Sequence, residues 1–274
     1  MAAGTSSSDI VGRGNRNGAQ LFREWFESLN RTAEQGGQCA YVFVMGTVNE
    51  ILKTFDLPVV LPEINSLQTA VRRVAHEYID EAEDHGYSPD ICGYVKADIA
   101  LQLRGGNHPM GTIPPPSLAV FTNACNTYIK WAEIWERMYN IPIFTIDIPG
   151  TRTAGGQTWS GDPAFENDRR YVEAQLRELI ALCENVTRKK FDIDKLREVM
   201  RHANAISVSW KRILELNRSR PAPFNALTDG TIYLGVANGL LGTPEGAQYF
   251  RELVEEMEFK SANGIGTSAD ERYR

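Results

Sequence analysis

The sequence predicts an α/β fold: a parallel sheet with helices on its faces, N-terminal helices before it and a helical region after it. Three observations carry this expectation. Leu57–Leu61, Ser117–Phe121 and Ile141–Ile148 are short apolar runs of the kind that form buried strands. Helical periodicity separates them at short spacing, the pattern of parallel strands joined by helices. Beyond residue 162 only helical periodicity remains. The chain of 274 residues, 42% hydrophobic and 23% charged, is long enough for a sizeable core and ordinary for a globular protein.

Residues 1–18 are rich in Gly, Ser, Asn and Arg and read as a disordered N-terminus, without the apolar stretch of a secretory signal. Leu21, Phe22, Trp25, Phe26 and Leu29 then follow helical spacing up to Gly36-Gly37. The apolar stretch Cys39–Met45 is too short to assign to helix or strand. Thr47 is placed to cap a short helix through Lys53, with Glu50 at the third position of a capping box. After the strand Leu57–Leu61, one helix is expected over Ser66–Asp84, with Leu67, Ala70, Val71, Val74, Tyr78, Ile79 and Ala82 on one side and Gly86 ending it. Cys92–Leu103 reads as a further helix stopped by Gly105-Gly106. The proline-rich Gly111–Pro116 runs extended into the strand Ser117–Phe121. A helix over Thr127–Tyr139 and the strand Ile141–Ile148 complete a Rossmann-like three-layer domain over residues 19–150. Residues 151–162 form a Gly/Thr loop. Helical patterns follow over Tyr171–Cys183, Ile193–Leu214, 225–240 and 244–259, so residues 151–274 read as a helical region. Ser268–Arg274 starts like a helix cap with no apolar face to complete it, which is the pattern of a chain cut inside an element.

The formal net charge of −6 lacks the electrostatic footprint of a nucleic-acid binder. No apolar run reaches the roughly 18 residues a membrane span needs, and a cytoplasmic location is expected. The four cysteines form no C-x-x-C pair, so they are free thiols, metal ligands or nucleophiles. Cys92 lies at the start of a helix. Cys125 follows a strand and precedes a helix. The carboxyl ends of parallel strands are where open α/β sheets bind ligands, and a helix N-terminus favours thiolate over thiol. The two cysteines either share one metal site or are small buried apolar residues. Cys183 lies on an apolar helical stripe and reads as packing. Cys39 carries no functional sign. His108, in a Gly-rich loop, either borders a site or is solvated. His76, His85 and His202 show no metal pattern. Glu50 and Glu63 flank the first strand and act as proton donors, substrate contacts or caps. The Gly150–Gly156 loop lacks the Lys-Ser/Thr of a phosphate-binding loop.

Five stretches carry a resemblance: Thr47–Leu52, Leu57–Ser66, Pro89–Lys96, Thr122–Thr127 and Gly264–Arg274. Together they resemble the 2-hydroxyacyl-CoA dehydratase / benzoyl-CoA reductase family, most of all its B-type subunits of class I, ATP-dependent reductases. The resemblance implies a [4Fe–4S] cluster on three cysteines, with Cys92 and Cys125 as the first two ligands. The third is expected beyond residue 274, in a second α/β half, so the chain reads as a C-terminally truncated fragment. The implied activity is that of an iron–sulfur subunit of a benzoyl-CoA reductase, which dearomatises benzoyl-CoA to a cyclic dienoyl-CoA with electrons from reduced ferredoxin. The alternative is a 2-hydroxyacyl-CoA dehydratase subunit performing radical elimination of water. The implied partners are a paralogous cluster-binding subunit, ATPase activator subunits with their own iron–sulfur cluster, ferredoxin and an aryl-CoA substrate, with no nucleic acid and no membrane. Asn126 stands where dehydratases usually carry an acidic residue, which favours the reductase branch. Glu50 matches a family position near the site and is the catalytic candidate. Tyr94, Lys96, Asn123 and Asn126 lie close enough to the cysteines to border a cluster, or serve as surface and cap residues. A third reading is a non-catalytic scaffold whose cysteines are merely buried.

Overall fold

The computed structural model describes residues 10–44, 48–149, 163–268 and 271. In chain order the elements are α1 (Arg13–Glu34), β1 (Ala40–Val42), α2 (Asn49–Thr54), β2 (Val59–Val60), α3 (Pro62–Val71), α4 (Ala75–Asp84), α5 (Gly93–Leu103), β3 (Asn107–His108), β4 (Gly111–Thr112), β5 (Leu118–Thr122), α6 (Asn126–Tyr139), β6 (Ile143–Ile146), α7 (Pro163–Thr187), α8 (Ile193–Leu216), α9 (Thr228–Gly239) and α10 (Pro244–Ala262). They divide into two compact units, Leu29–Asp192 and a second made of Met1–Ser28 with Ile193–Arg274.

The first unit holds the expected parallel sheet, in the order β2-β1-β5-β6. The stretch Cys39–Met45, ambiguous by its own pattern, supplies β1 near the middle of that sheet. Ala40 pairs with Val59 on one side and Leu118 on the other. β1 and β5 are buried on both faces, which is why they read as unbroken apolar runs rather than as alternation. Tyr41, Phe43, Trp131 and Trp135 are among the largest side chains of this core. Phe43 stacks flat on Tyr128 at 3.8 Å between ring centres.

Three local expectations are corrected here. The single helix over Ser66–Asp84 is two helices, α3 and α4. The chain turns at Arg73, whose φ is +62°, and Val71, read as part of the buried stripe, is exposed. α3 also starts earlier, at Pro62, because proline fits the first turn, where its missing N–H is not needed. The capping box does not form as read. α2 has Val48 as its N-cap with no side-chain cap, and Thr47 lies outside the described residues. The loop around His108 is not solvated, because β3 and β4 pair antiparallel across it and bury the imidazole.

In the second unit α1 begins at Arg13, so residues 13–18, expected to be disordered, are helical. Their glycines serve close packing. A Cβ on Gly14 would lie 2.5 Å from Leu253 Cδ1, and one on Gly18 would lie 2.4 Å from Ile232 Cγ2. The N–H groups of Gly12 and Gly14 donate to the buried Glu256 carboxylate at 2.7 and 2.6 Å. Gly235 answers from α9, where a Cβ would strike the Phe22 ring at 2.1 Å. Ile206, Ile213, Phe224, Val236, Phe250 and Met257 fill the core between α8, α9 and α10. One boundary between the two units falls at Asp192/Ile193. α7 belongs with the sheet, where Gln175 accepts from the N–H of Asp147 and donates to its carbonyl.

Candidate functional site

The connections after β2 and β5 and the turn that opens α5 carry the candidate polar side chains. After β5 the chain passes through Asn123 and Ala124 to Cys125, the extended N-cap residue of α6 (φ −136°, ψ 131°). Asn123 ties this connection to the end of β6. Its Nδ2 donates to Asp147 Oδ1 at 2.5 Å and to the Ile148 carbonyl at 3.1 Å, and its Oδ1 accepts from the Ile148 N–H. Tyr171 Oη donates to the other Asp147 oxygen at 3.0 Å.

Cys92 is the N-cap of α5. The loop before it is held by Lys96, one turn into the helix. This buried ammonium donates to the Pro89 carbonyl at 2.9 Å and to Glu83 at 2.5 Å. Lys96 is thus a strut for the Cys92 loop. Ser66 Oγ, from α3, donates to the Tyr94 carbonyl at 2.8 Å and fixes the same turn from the other side. Cys92 and Asn126, the residue after Cys125, line one cavity of about 670 Å³ with Val95, Trp131 and Ile134.

After β2 comes Glu63, in the first turn of α3. Its Oε2 accepts from the Val44 N–H at 2.6 Å and its Oε1 from Tyr128 Oη at 2.5 Å. Burial raises its pKa, and the two hydrogen bonds pull against that shift. Burial also raises the pKa of the Tyr94 phenol, and charge on Cys92 and on Glu63 raises it further, so Tyr94 stands within electrostatic reach of both. Glu50 is in the first turn of α2, the helix that follows β1. Burial raises its pKa, while its own backbone N–H and Lys53 lower it.

The four thiols fall into two classes. Cys39 and Cys183 are buried, and burial pushes each up to about 12. They are protonated packing groups at neutral pH. Cys92 is exposed and Cys125 half-buried, and both sit at helix starts. His108 is a neutral strut: burial lowers its pKa to about 4, Nε2 lies 3.0 Å from the Asn65 carbonyl, and Nδ1 accepts from the Met110 N–H. Sequence reading passed over Tyr128, the partner of Glu63. It also passed over Asp98, which accepts from the indole N–H groups of Trp131 and Trp135 at 2.7 Å each. A lone acidic residue inside the otherwise uncharged Ala97–Gln102 was the available signal for Asp98.

Cys92 and Cys125 offer two soft donors to a metal centre, and among the described residues no group of three or more His, Cys, Asp or Glu side chains is gathered to hold one. The family model described as 2-hydroxyglutaryl-CoA dehydratase, D-component, matches residues 45–274, taking in Glu50, Glu63, Cys92 and Cys125. The chain belongs to this family. Its relatives are enzyme subunits. Over 260 residues it is 33% identical to the B-type subunit of benzoyl-CoA reductase from Thauera aromatica, covering 91% of this chain and 58% of that protein. It is 31% identical to the (R)-2-hydroxyisocaproyl-CoA dehydratase alpha subunit of Clostridioides difficile, covering 93% of this chain and 60% of that one. It is 30% identical to the (R)-phenyllactyl-CoA dehydratase alpha subunit of Clostridium sporogenes, covering 85% and 54%. The chain thus spans little more than half the length of these relatives. No described helix is long and apolar enough to cross a membrane.

Proposed function

We propose that this chain is part of an iron–sulfur subunit of an ATP-dependent benzoyl-CoA reductase, acting with a related cluster-binding subunit, an ATPase activator and reduced ferredoxin. One observation carries the reading. Of four cysteines, the two accessible ones are N-caps of helices, and Cys92 and the residue after Cys125 line one cavity, while the other two are buried thiols. Thiolate sulfur is the ligand iron–sulfur centres take. Cys92 and Cys125 would hold two corners of a [4Fe–4S] cluster, and among the described residues no third His, Cys, Asp or Glu is gathered with them.

Such a cluster, when bound, supplies one-electron transfer at low potential. The residues of this chain do the rest. Asn123 and Lys96 hold the two cysteine loops in place. Glu63 is a buried carboxylate with raised proton affinity and is the group best placed to hold or release a proton beside the site. Its two donors keep it oriented, and loss of water when substrate binds raises its proton affinity further. Glu50 is a weaker candidate, since its carboxylate turns back on its own backbone.

The dehydratase relatives support a second reading, radical elimination of water from a 2-hydroxyacyl-CoA. Asn126 at the first position of α6, in place of an acidic residue, favours reduction. Assay of the complete enzyme decides between them. Ring reduction of benzoyl-CoA without water loss from 2-hydroxyacyl-CoA is expected, and the reverse result replaces the first reading with the second. In the same anaerobic preparations, replacing Cys92 and Cys125 together by Ser is expected to abolish iron binding by this subunit. Unchanged iron content overturns the ligand assignment.

A further inference from the structure

α5 and α6 each begin at one of the two accessible cysteines, and two side chains of α5, Asp98 and Gln102, accept hydrogen bonds from α6. Asp98 lies six residues after Cys92, and Trp131 lies six residues after Cys125. The junction therefore sits at the same depth, about 9 Å, along each helix from its cysteine. Asp98 Oδ2 accepts both indole N–H groups of α6, from Trp131 and, one turn on, from Trp135, at 2.7 Å each. Its Oδ1 accepts from Gln102 Nε2 at 2.9 Å, and Gln102 Oε1 in turn accepts from Tyr139 Oη at 2.7 Å. The carboxylate is 1% exposed and has no cation among these partners. Burying a charge among neutral donors is costly, and apolar residues would hold two helices together more cheaply. An acceptor that takes two donors at once gives what apolar contact does not, a fixed spacing and register.

We propose that Asp98 is the positioning residue for the cysteine pair, setting the separation of α5 and α6 so that Cys92 and Cys125 can bind one metal centre together. This rests on the reading above that the two thiols share a cofactor. Asparagine at position 98 keeps an oxygen for both indoles, and the Gln102 amide can turn to accept from the new NH₂ group. Valine keeps the branching and removes both acceptors.

The test uses Cd²⁺ as a thiophilic probe on this chain under reducing conditions at pH 7.5. Its affinity is measured at a temperature where circular dichroism shows each variant folded. Cys92→Ser and Cys125→Ser serve as single-thiol references, expected to bind about 100-fold more weakly than the parent, because a second tethered donor acts at high effective concentration. Asp98→Asn is expected to bind like the parent, and Asp98→Val like the single-thiol references. Trp135→Phe, which deletes one donor and keeps an aromatic ring, provides a milder arm should the valine variant not fold, with an intermediate loss expected. Parent-like affinity in Asp98→Val, or in Trp135→Phe when that is the arm available, overturns the inference alone and leaves Asp98 a stabilising residue. Parent-like affinity in both single-thiol references overturns the inference together with the shared-cofactor reading.

Discussion

Asp98 also has a thermodynamic signature of its own. Burial pushes its pKa up to about 6 from 3.8, against the opposing pull of hydrogen bonds from Trp131, Gln102 and Trp135. A carboxyl group whose folded pKa lies above its unfolded value takes up its proton more readily in the fold. Folding is therefore strengthened as pH falls from about 6 to about 4 and weakened as it rises through that interval. The shift corresponds to about 3 kcal/mol at most. Asparagine has no proton to exchange, so Asp98→Asn should gain stability relative to the parent as pH rises from 4 to 7. Urea unfolding of both proteins across this range measures the difference, and a flat difference curve would show that the carboxyl is not shifted. At this scale the sequence showed what depends on position in the chain and hid what depends on partners. Cys92 and Cys125 stood out because each lies at a helix start. Lys96 and His108 look like ordinary polar residues until Pro89, Glu83 and Asn65 are brought against them. Asp98 shows only its place in an otherwise uncharged run, and its role is hidden because its two tryptophans lie more than thirty residues away in the chain.

Glycine in α1 shows why elements are legible only when a residue type has one meaning. Gly12, Gly14 and Gly18 among polar residues give the composition of a disordered segment, and two of them, Gly14 and Gly18, allow α1 to approach α9 and α10 closely. Helix propensity alone says that Gly18→Ala should stabilise a helix by about 1 kcal/mol. The contacts reverse the sign. The new Cβ would meet Ile232 Cγ2 at 2.4 Å and the Tyr249 ring at 2.9 Å, so both must shift. Overpacking of this kind costs roughly 1–3 kcal/mol, and a lowered melting temperature is expected. An unchanged or raised value would mean that the close approach is not tight. β1 poses a related problem. Three buried residues carry no period, and only the pairing of Ala40 with Val59 and Leu118 makes them a strand. The break between α3 and α4 had no signal either, because Arg72-Arg73 contains neither Gly nor Pro, although Arg73 takes a positive φ.

The division of the whole molecule is discontinuous in sequence, and periodicity does not report discontinuity. A hydrophobic stripe says that a helix face is buried but not against what. Leu21, Phe22 and Trp25 were therefore legible as a buried face, while their unit mates, contributed by residues 193–274, were not. The family match covers only part of this arrangement, since it begins at residue 45, after the whole of α1 and β1. The discontinuity has a measurable consequence. Removing residues 1–18 deletes both N–H donors to Glu256, whose carboxylate is 3% exposed, and uncovers Tyr249 and Leu253. Loss of donors to a buried charge costs about 1.5–3 kcal/mol, which corresponds to roughly 10- to 100-fold in an opening equilibrium. Hydrogen exchange followed by mass spectrometry should show that loss of protection in α9 and α10, at the far end of the chain, while β1, β5 and α5 keep their parental rates. Faster exchange in the sheet strands, or unchanged exchange in α9 and α10, would show that the N-terminal residues do not stabilise the helical unit in the way these contacts require.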